Sequence, residues 1–115
     1  MQRRFRLRRT TDLRRVRRTG RSYAHPLFIL VVAAGQEGRL RVAVAASRSV
    51  GGAMQRNRAR RLLREAVRPY LAEVAPGRDL LLVAREPIEE AALSEVSAAV
   101  RALLRRAGLV PLDDG

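Results

Sequence analysis

Between Ser47 and Arg68 the chain reads SRSVGGAMQRNRARRLLREAVR, with Arg48, Arg56, Arg58, Arg60, Arg61, Arg64 and Arg68 carrying its charge and Asn57 set among them. A guanidinium grips phosphate through two hydrogen bonds and keeps its charge when partly buried, whereas an ammonium offers a point charge. Arg56 and Arg58 fall early in an expected helix, where cations oppose the positive end of the helix dipole. That placement becomes favourable once a phosphate is held by the side chains and the helix N-terminus together. Asn57 adds an amide donor and acceptor suited to a sugar hydroxyl or a base edge. The plainer alternative is a solvated basic helix face, which is common.

Other chemistry is poorly supplied. His25 is the only histidine and, beside Pro26, reads as a turn residue. Glu65, Glu73 and Asp79 lack the spacing of metal ligands, and Gly51-Gly52 lacks the spacing and lysine of a nucleotide-binding loop. Glu65 is expected to balance Arg61, four residues earlier. No catalytic residue, metal site or small-molecule substrate is therefore expected. The chain has no cysteine, which excludes disulfides and thiolate metal sites.

At 115 residues with 47% apolar content the chain suits one domain with a modest core. Its formal net charge is +13, and every basic residue is arginine. Arginine in place of lysine can follow genomic composition; the total charge cannot. Residues 1–68 hold 19 arginines against Asp12, Glu37 and Glu65, while residues 69–115 hold 5 against 8 acids. Self-repulsion of that size is costly, so a polyanionic partner is the simplest reason to keep it. Nucleic acid leads, with an anionic membrane surface behind it. No apolar segment follows the charged Met1–Arg9, and the longest apolar run, Leu27–Ala34, is too short to span a bilayer. A cytoplasmic protein is expected.

The elements that must position these residues follow from periodicity. Residues 1–9 form a basic arm with Phe5 and Leu7 as anchors. Thr10 or Thr11 can cap a helix from Asp12 to Arg18, stopped by Gly20. Residues 21–34 read as extended, interrupted at His25-Pro26, with Leu27–Ala34 a buried strand and 35–38 a turn. Arg39–Ala46 alternates, placing Leu40, Val42, Val44 and Ala46 on one face and Arg39, Arg41, Ala43 and Ala45 on the other. A helix after Gly52 should run to near Val74, kinked at Pro69, with Ala59, Leu62, Leu63, Ala66, Val67 and Tyr70 inward. Leu80–Ala84 suits a central strand. Glu89 and Glu90 suit the first turn of a last helix burying Leu93, Val96, Val100, Leu103 and Leu104 and ending at Gly108. Residues 109–115 are expected to form a flexible tail. The expectation is a single α+β domain, one sheet with helices packed on it.

The segment Gly51-Gly52-Ala53-Met54-Gln55-Arg56-Asn57-Arg58-Ala59-Arg60-Arg61-Leu62-Leu63-Arg64-Glu65 resembles the signature helix of the bacterial ribonuclease P protein family, known for its Arg-Asn-Arg core. The flanks agree: Asp12-Leu13-Arg14-Arg15-Val16 and Gly20 before it, Val44-Ala45-Ala46-Ser47-Arg48, and Leu82-Val83-Ala84-Arg85 after it. The resemblance covers roughly residues 3–107. It implies an α-β-β-β-α-β-α fold with a left-handed β-α-β crossover, an exception to the usual hand. It implies that an RNA partner is the catalyst and uses bound magnesium to remove the 5′ leader of precursor tRNA. The protein would supply no nucleophile. It would hold the catalytic RNA through Arg48, Arg56, Asn57, Arg58, Arg60, Arg61, Arg64 and Arg68. The 5′ leader would lie in a cleft between sheet and first helix, lined by Leu13, Arg17, Val31, Ser47, Arg48 and Arg85. Family members often carry aromatics where this chain has Leu13, Arg17 and Val31, so stacking would give way to arginine.

Three other binding classes stand behind this reading, a structural RNA-binding module first among them. A small ribosomal protein would share the basic surface. A DNA-binding module would want a helix-turn-helix partner or a dimerisation heptad, and neither is evident. A membrane-surface helix would need a free apolar face, which the core claims here.

Overall fold

The computed structural model describes residues 5–111. The element order is α1 (Thr10–Thr19), β1 (Arg21–Ala24), β2 (Phe28–Ala34), β3 (Leu40–Ala46), α2 (Ala53–Val67), β4 (Arg78–Ala84) and α3 (Leu93–Arg106). This is the expected α-β-β-β-α-β-α order. The four strands lie in the order β1-β2-β4-β3. β1 and β2 pair antiparallel, β2 and β4 likewise, and β3 runs parallel to β4. The parallel pair is joined through α2, as a parallel neighbour requires a crossover.

Strand alternation sorts the core into two layers. Phe28, Leu30, Leu40, Val42, Leu80, Leu82 and Ala84 pack with the buried faces of α2 and α3. Val31, Ala33, Ala43 and Leu81 point to the opposite face, where Leu7 and Val16 cover them. β4 is buried on both faces, which explains its unbroken apolar run. Leu40, Val42, Val44 and Ala46 share one face of β3 as alternation predicts.

Several boundaries differ from expectation. α1 begins at Thr10 with Arg9 as N-cap, and neither threonine caps it. α2 ends at Val67 and a 3-10 turn, Arg68–Tyr70, follows, because the ring of Pro69 cannot fit inside an α-helix. Leu71 and Val74 are buried beyond that turn. Glu89 and Glu90 lie in a separate 3-10 turn, Ile88–Glu90, and α3 starts at Leu93. There the Glu95 carboxylate, not Glu89 or Glu90, accepts from the Ala92 N–H at 3.4 Å. Leu93 sits on the first turn of α3 at 46% exposure, while Val96, Val100, Leu103 and Leu104 are buried as expected. Gly108 ends this helix region with φ +74°, a conformation glycine adopts without a Cβ penalty. Leu109 and Val110 then return to the core, so the expected tail is packed at its start. Residues 112–115 of that tail, and residues 1–4 of the arm, lie outside the described residues.

Candidate nucleic-acid interface

α2 starts bare. Its N-cap is Gly52, which supplies no side-chain cap, and its first turn holds no acid. The free N–H groups of that turn therefore remain available to an anion. Gly51 precedes it at φ +135°, a backbone conformation that favours glycine. The helix buries Ala59, Leu63, Ala66 and Val67 against the sheet and α3, with Leu62 half-buried beside them. That inward stripe leaves Asn57, Arg60, Arg61 and Arg64 together along the outside, where they line one shallow groove. The Arg60 guanidinium donates to the Asn57 side-chain oxygen. That contact uses the Asn57 oxygen as acceptor, and the Asn57 NH2 donates no hydrogen bond among the described residues. Arg56 is half-buried, and its Nε is a buried donor with no hydrogen-bond partner among the described residues. Arg58 is exposed on the other edge of the helix, near Arg61, Leu62 and Leu93.

Acids offset little of this face. The Glu65 carboxylate accepts from Arg68 at 3.0 Å, where Arg61 was expected; the i,i+3 contact forms on the exposed surface. Arg58, Arg60, Arg61 and Arg64 make no ion pair among the described residues. Arg48 is exposed in a 3-10 turn, Arg48–Val50, just before the α2 N-terminus. Of the expected residues, Asn57, Arg60, Arg61 and Arg64 share one groove and Arg58 shares a second with Arg61, while Arg48 lies before the helix, Arg56 on its first turn and Arg68 just past its end.

The opposite sheet face carries the second group. Leu13 is half-buried on α1 and Arg17, one turn on, is exposed. Val31 is not open floor. It is 6% exposed and packs where α1 turns into β1, so a Cβ on Gly20 would fall 2.5 Å from Val31 Cγ1. The half-exposed floor is instead the rung Ile29, Val83 and Ala45, which pair across three strands on the same face. Alternation marked Ala45 as outward but did not single out Ile29 or Val83. Their only signal was register, two residues along from Val31 and Leu81 toward the sheet end. At that end the Ser47 N–H donates to the Ala84 carbonyl at 3.1 Å, and Ser47 and Ser49 hydroxyls lie 2.7 Å apart. Arg85 donates to the His25 carbonyl at 3.2 Å. The His25 Nδ1 accepts from the Leu27 N–H at 3.1 Å and its ring stacks on Phe28, a turn role.

Charge as well as burial holds α1 over this face. Val16 is its one fully buried side chain. Asp79, on β4 and wholly buried, accepts from Arg41 Nε at 3.0 Å and from Arg41 NH2 at 2.8 Å. The same carboxylate accepts from Arg15 of α1, whose other nitrogen donates to the Ala34 carbonyl at 2.8 Å. Asp12 closes the network, 3.6 Å from Arg15 and 3.5 Å from Arg41. The hydrogen bond with Asp79 raises the Arg41 pKa above its ordinary value against the opposing effect of burial. Two acids and two arginines balance there, so this network supplies no free cation for a ligand. Asp79 appeared in the sequence as an isolated acid, because its partners lie 38 and 64 residues away.

No helix among the described residues is long and apolar enough to cross a membrane. Nor do the described residues contain a group of three His, Cys, Asp or Glu side chains placed to hold a metal.

The chain is similar to known proteins along almost its whole length. Residues 1–108 match the family Ribonuclease P. A ribonuclease P protein component of Chloroflexus aurantiacus is 45% identical over 112 residues, covering 96% of this chain and 83% of the relative. That of Herpetosiphon aurantiacus is 40% identical over 109 residues, covering 95% and 89%. In three dimensions the chain is similar to the Staphylococcus aureus RNase P protein, with a TM-score of 0.81 at 21% identity, over 93% of this chain and 98% of that one. The Thermotoga maritima RNase P protein gives a TM-score of 0.77 at 23% identity, over 88% and 96%.

Proposed function

The chain belongs to the bacterial ribonuclease P protein family, and from that premise we propose that its two faces divide the binding of two RNAs. It is the protein subunit of a ribonucleoprotein endoribonuclease, and a ribosomal role is not favoured by a match of this extent. In our reading the α2 face binds the catalytic RNA, and the cleft beside α1 takes the 5′ leader of precursor tRNA. The observation that carries the reading is the α2 face itself: Arg58, Arg60, Arg61 and Arg64 without acid partners among the described residues, beside an uncapped helix start and opposite a stripe committed to the core. Such a face gains when phosphates replace its counterions and its self-repulsion.

In the cleft, Ile29, Val83 and Ala45 offer an apolar floor, Leu13 a wall, and Arg17, Arg48 and Arg85 charge along a single strand. No aromatic lies among them, so phosphate contacts dominate over base stacking. Magnesium belongs, in this reading, to the RNA partner. Asp12 and Asp79, which share one network, are engaged by Arg15 and Arg41 and do not fit a cation site. The protein contributes positioning: it holds the leader relative to the catalytic RNA and lends positive potential near the scissile phosphate. It acts in the cytoplasm.

Two variants separate the faces. Arg17→Ala should weaken binding of precursor tRNA to the holoenzyme and leave mature tRNA and assembly with the catalytic RNA unchanged. Arg60→Ala should do the reverse, weakening assembly. Both comparisons need fixed salt and magnesium. Equal losses for precursor and mature tRNA with Arg17→Ala would remove the leader from this cleft.

A further inference from the structure

The basic arm and α2 meet across the outer edge of β3. Arg6 pairs with Val42 in a parallel bridge, and the Leu7 N–H donates to the Val42 carbonyl at 2.8 Å, so the arm backbone is tied to that edge. Leu7 is buried on the α1 side, which fixes which way the arm lies. Arg64 of α2 reaches the same place from the other side of the strand. It lines a groove with Arg6, Leu7, Arg8 and Leu13, and it also lines the neighbouring groove with Asn57, Arg60 and Arg61. One side chain thus joins the α2 face to the arm.

The electrostatics of this junction are unfavourable in the free protein. Burial, and then the charges of Arg6 and Arg60, hold the Arg64 guanidinium below its ordinary pKa. Among the described residues no carboxylate forms an ion pair with Arg6, Arg8, Arg60 or Arg64. The fold therefore gathers like charges from segments more than fifty residues apart and leaves them without an anion. A phosphodiester has two non-bridging oxygens, and each can accept from a different guanidinium.

We propose that Arg6 of the arm and Arg64 of α2 clamp one backbone phosphate of the RNA partner between them, with Arg8 and Arg60 flanking it. This rests on the reading that the α2 face binds RNA. It adds the arm to that interface as half of a single two-sided site, rather than as a separate charged tail.

The test is a double-mutant cycle in the full chain, with Arg6→Ala, Arg64→Gln and both together, measuring affinity for the cognate catalytic RNA across a salt series. Gln keeps part of the Arg64 stem in its half-buried position, and circular dichroism checks that each variant folds. Arg58→Ala, on the far edge of α2, serves as reference. If one phosphate bridges the pair, each single change weakens binding roughly tenfold. Each also lowers the log–log salt slope by about 0.7–0.9, and the double variant loses no more than the worse single one. Multiplied losses, with the slope falling twice, mean two separate phosphates and overturn the clamp. No loss in either single variant while Arg58→Ala weakens binding overturns it too and leaves the α2 reading standing. No loss in any of the three overturns both.

Discussion

Replacing Asp79 with asparagine removes one charge from the ion-pair network that joins α1, β3 and β4. The wild-type carboxylate is fully buried and accepts two hydrogen bonds from Arg41 and one from Arg15. Asn keeps the shape but turns an NH2 donor toward guanidinium donors. Breaking a buried ion pair from one side costs about 3–5 kcal/mol. Arg15 retains 31% exposure and can lean on Asp12, which points to the lower end, about 3 kcal/mol. That is a large share of the roughly 5–15 kcal/mol by which a domain of this size is stable. At about 4–8 °C per kcal/mol the midpoint should fall by at least about 12 °C. Urea unfolding with two probes gives the free energy directly. The same variant, at a temperature where it stays folded, should lose discrimination between precursor and mature tRNA, because α1 carries Leu13 and Arg17. Affinity for the catalytic RNA through α2 should persist. A change below about 0.5 kcal/mol, the range of ordinary surface substitutions, would refute the idea that this network holds α1 in place.

Two further substitutions test the geometry elsewhere. Arg58→Ala should leave the fold intact, within roughly 0.5 kcal/mol, and lower the salt slope of assembly by about 0.7–0.9 for one lost phosphate contact. An unchanged affinity and slope would make Arg58 part of a merely solvated face. Gly20→Ala should destabilise the protein by about 1–3 kcal/mol through overpacking, since its Cβ would lie 2.5 Å from both the Val16 carbonyl and Val31 Cγ1. A thermal melt superimposable on the parent would show that the α1–β1 corner has more room than the structure describes.

Strand positions were legible because their period and burial agree: Leu40, Val42 and Val44 alternate with residues of the other layer, and Leu80–Ala84 is apolar throughout. Helix faces were legible for the same reason, and with them the arginine side of α2. Helix ends were not. Pro69 stops α2 outright, and the short 3-10 turns at Arg68–Tyr70 and Ile88–Glu90 carry no pattern of their own. Leu93 looked like core by its spacing, yet it precedes the part of α3 that meets the sheet. Val31 was expected to be open but is buried beside Gly20, and the half-exposed apolar rung on that face is Ile29, Val83 and Ala45, because only the structure shows how far α1 extends across the strands. Asp79 was the least legible residue, since a carboxylate's role depends on partners that the fold alone brings to it.

Reconstitution separates an RNA catalyst from a protein one. Protein, cognate catalytic RNA and a 5′-labelled precursor tRNA are combined in a magnesium titration, with protein alone and RNA alone as references. Protein alone should release no leader at any magnesium concentration. Adding protein to the RNA should shift leader release to lower magnesium, with cleavage at the same bond. Leader release by rigorously RNA-free protein, or a magnesium requirement that the protein leaves unchanged, would contradict a division of labour in which the RNA is the catalyst and the protein positions its substrate.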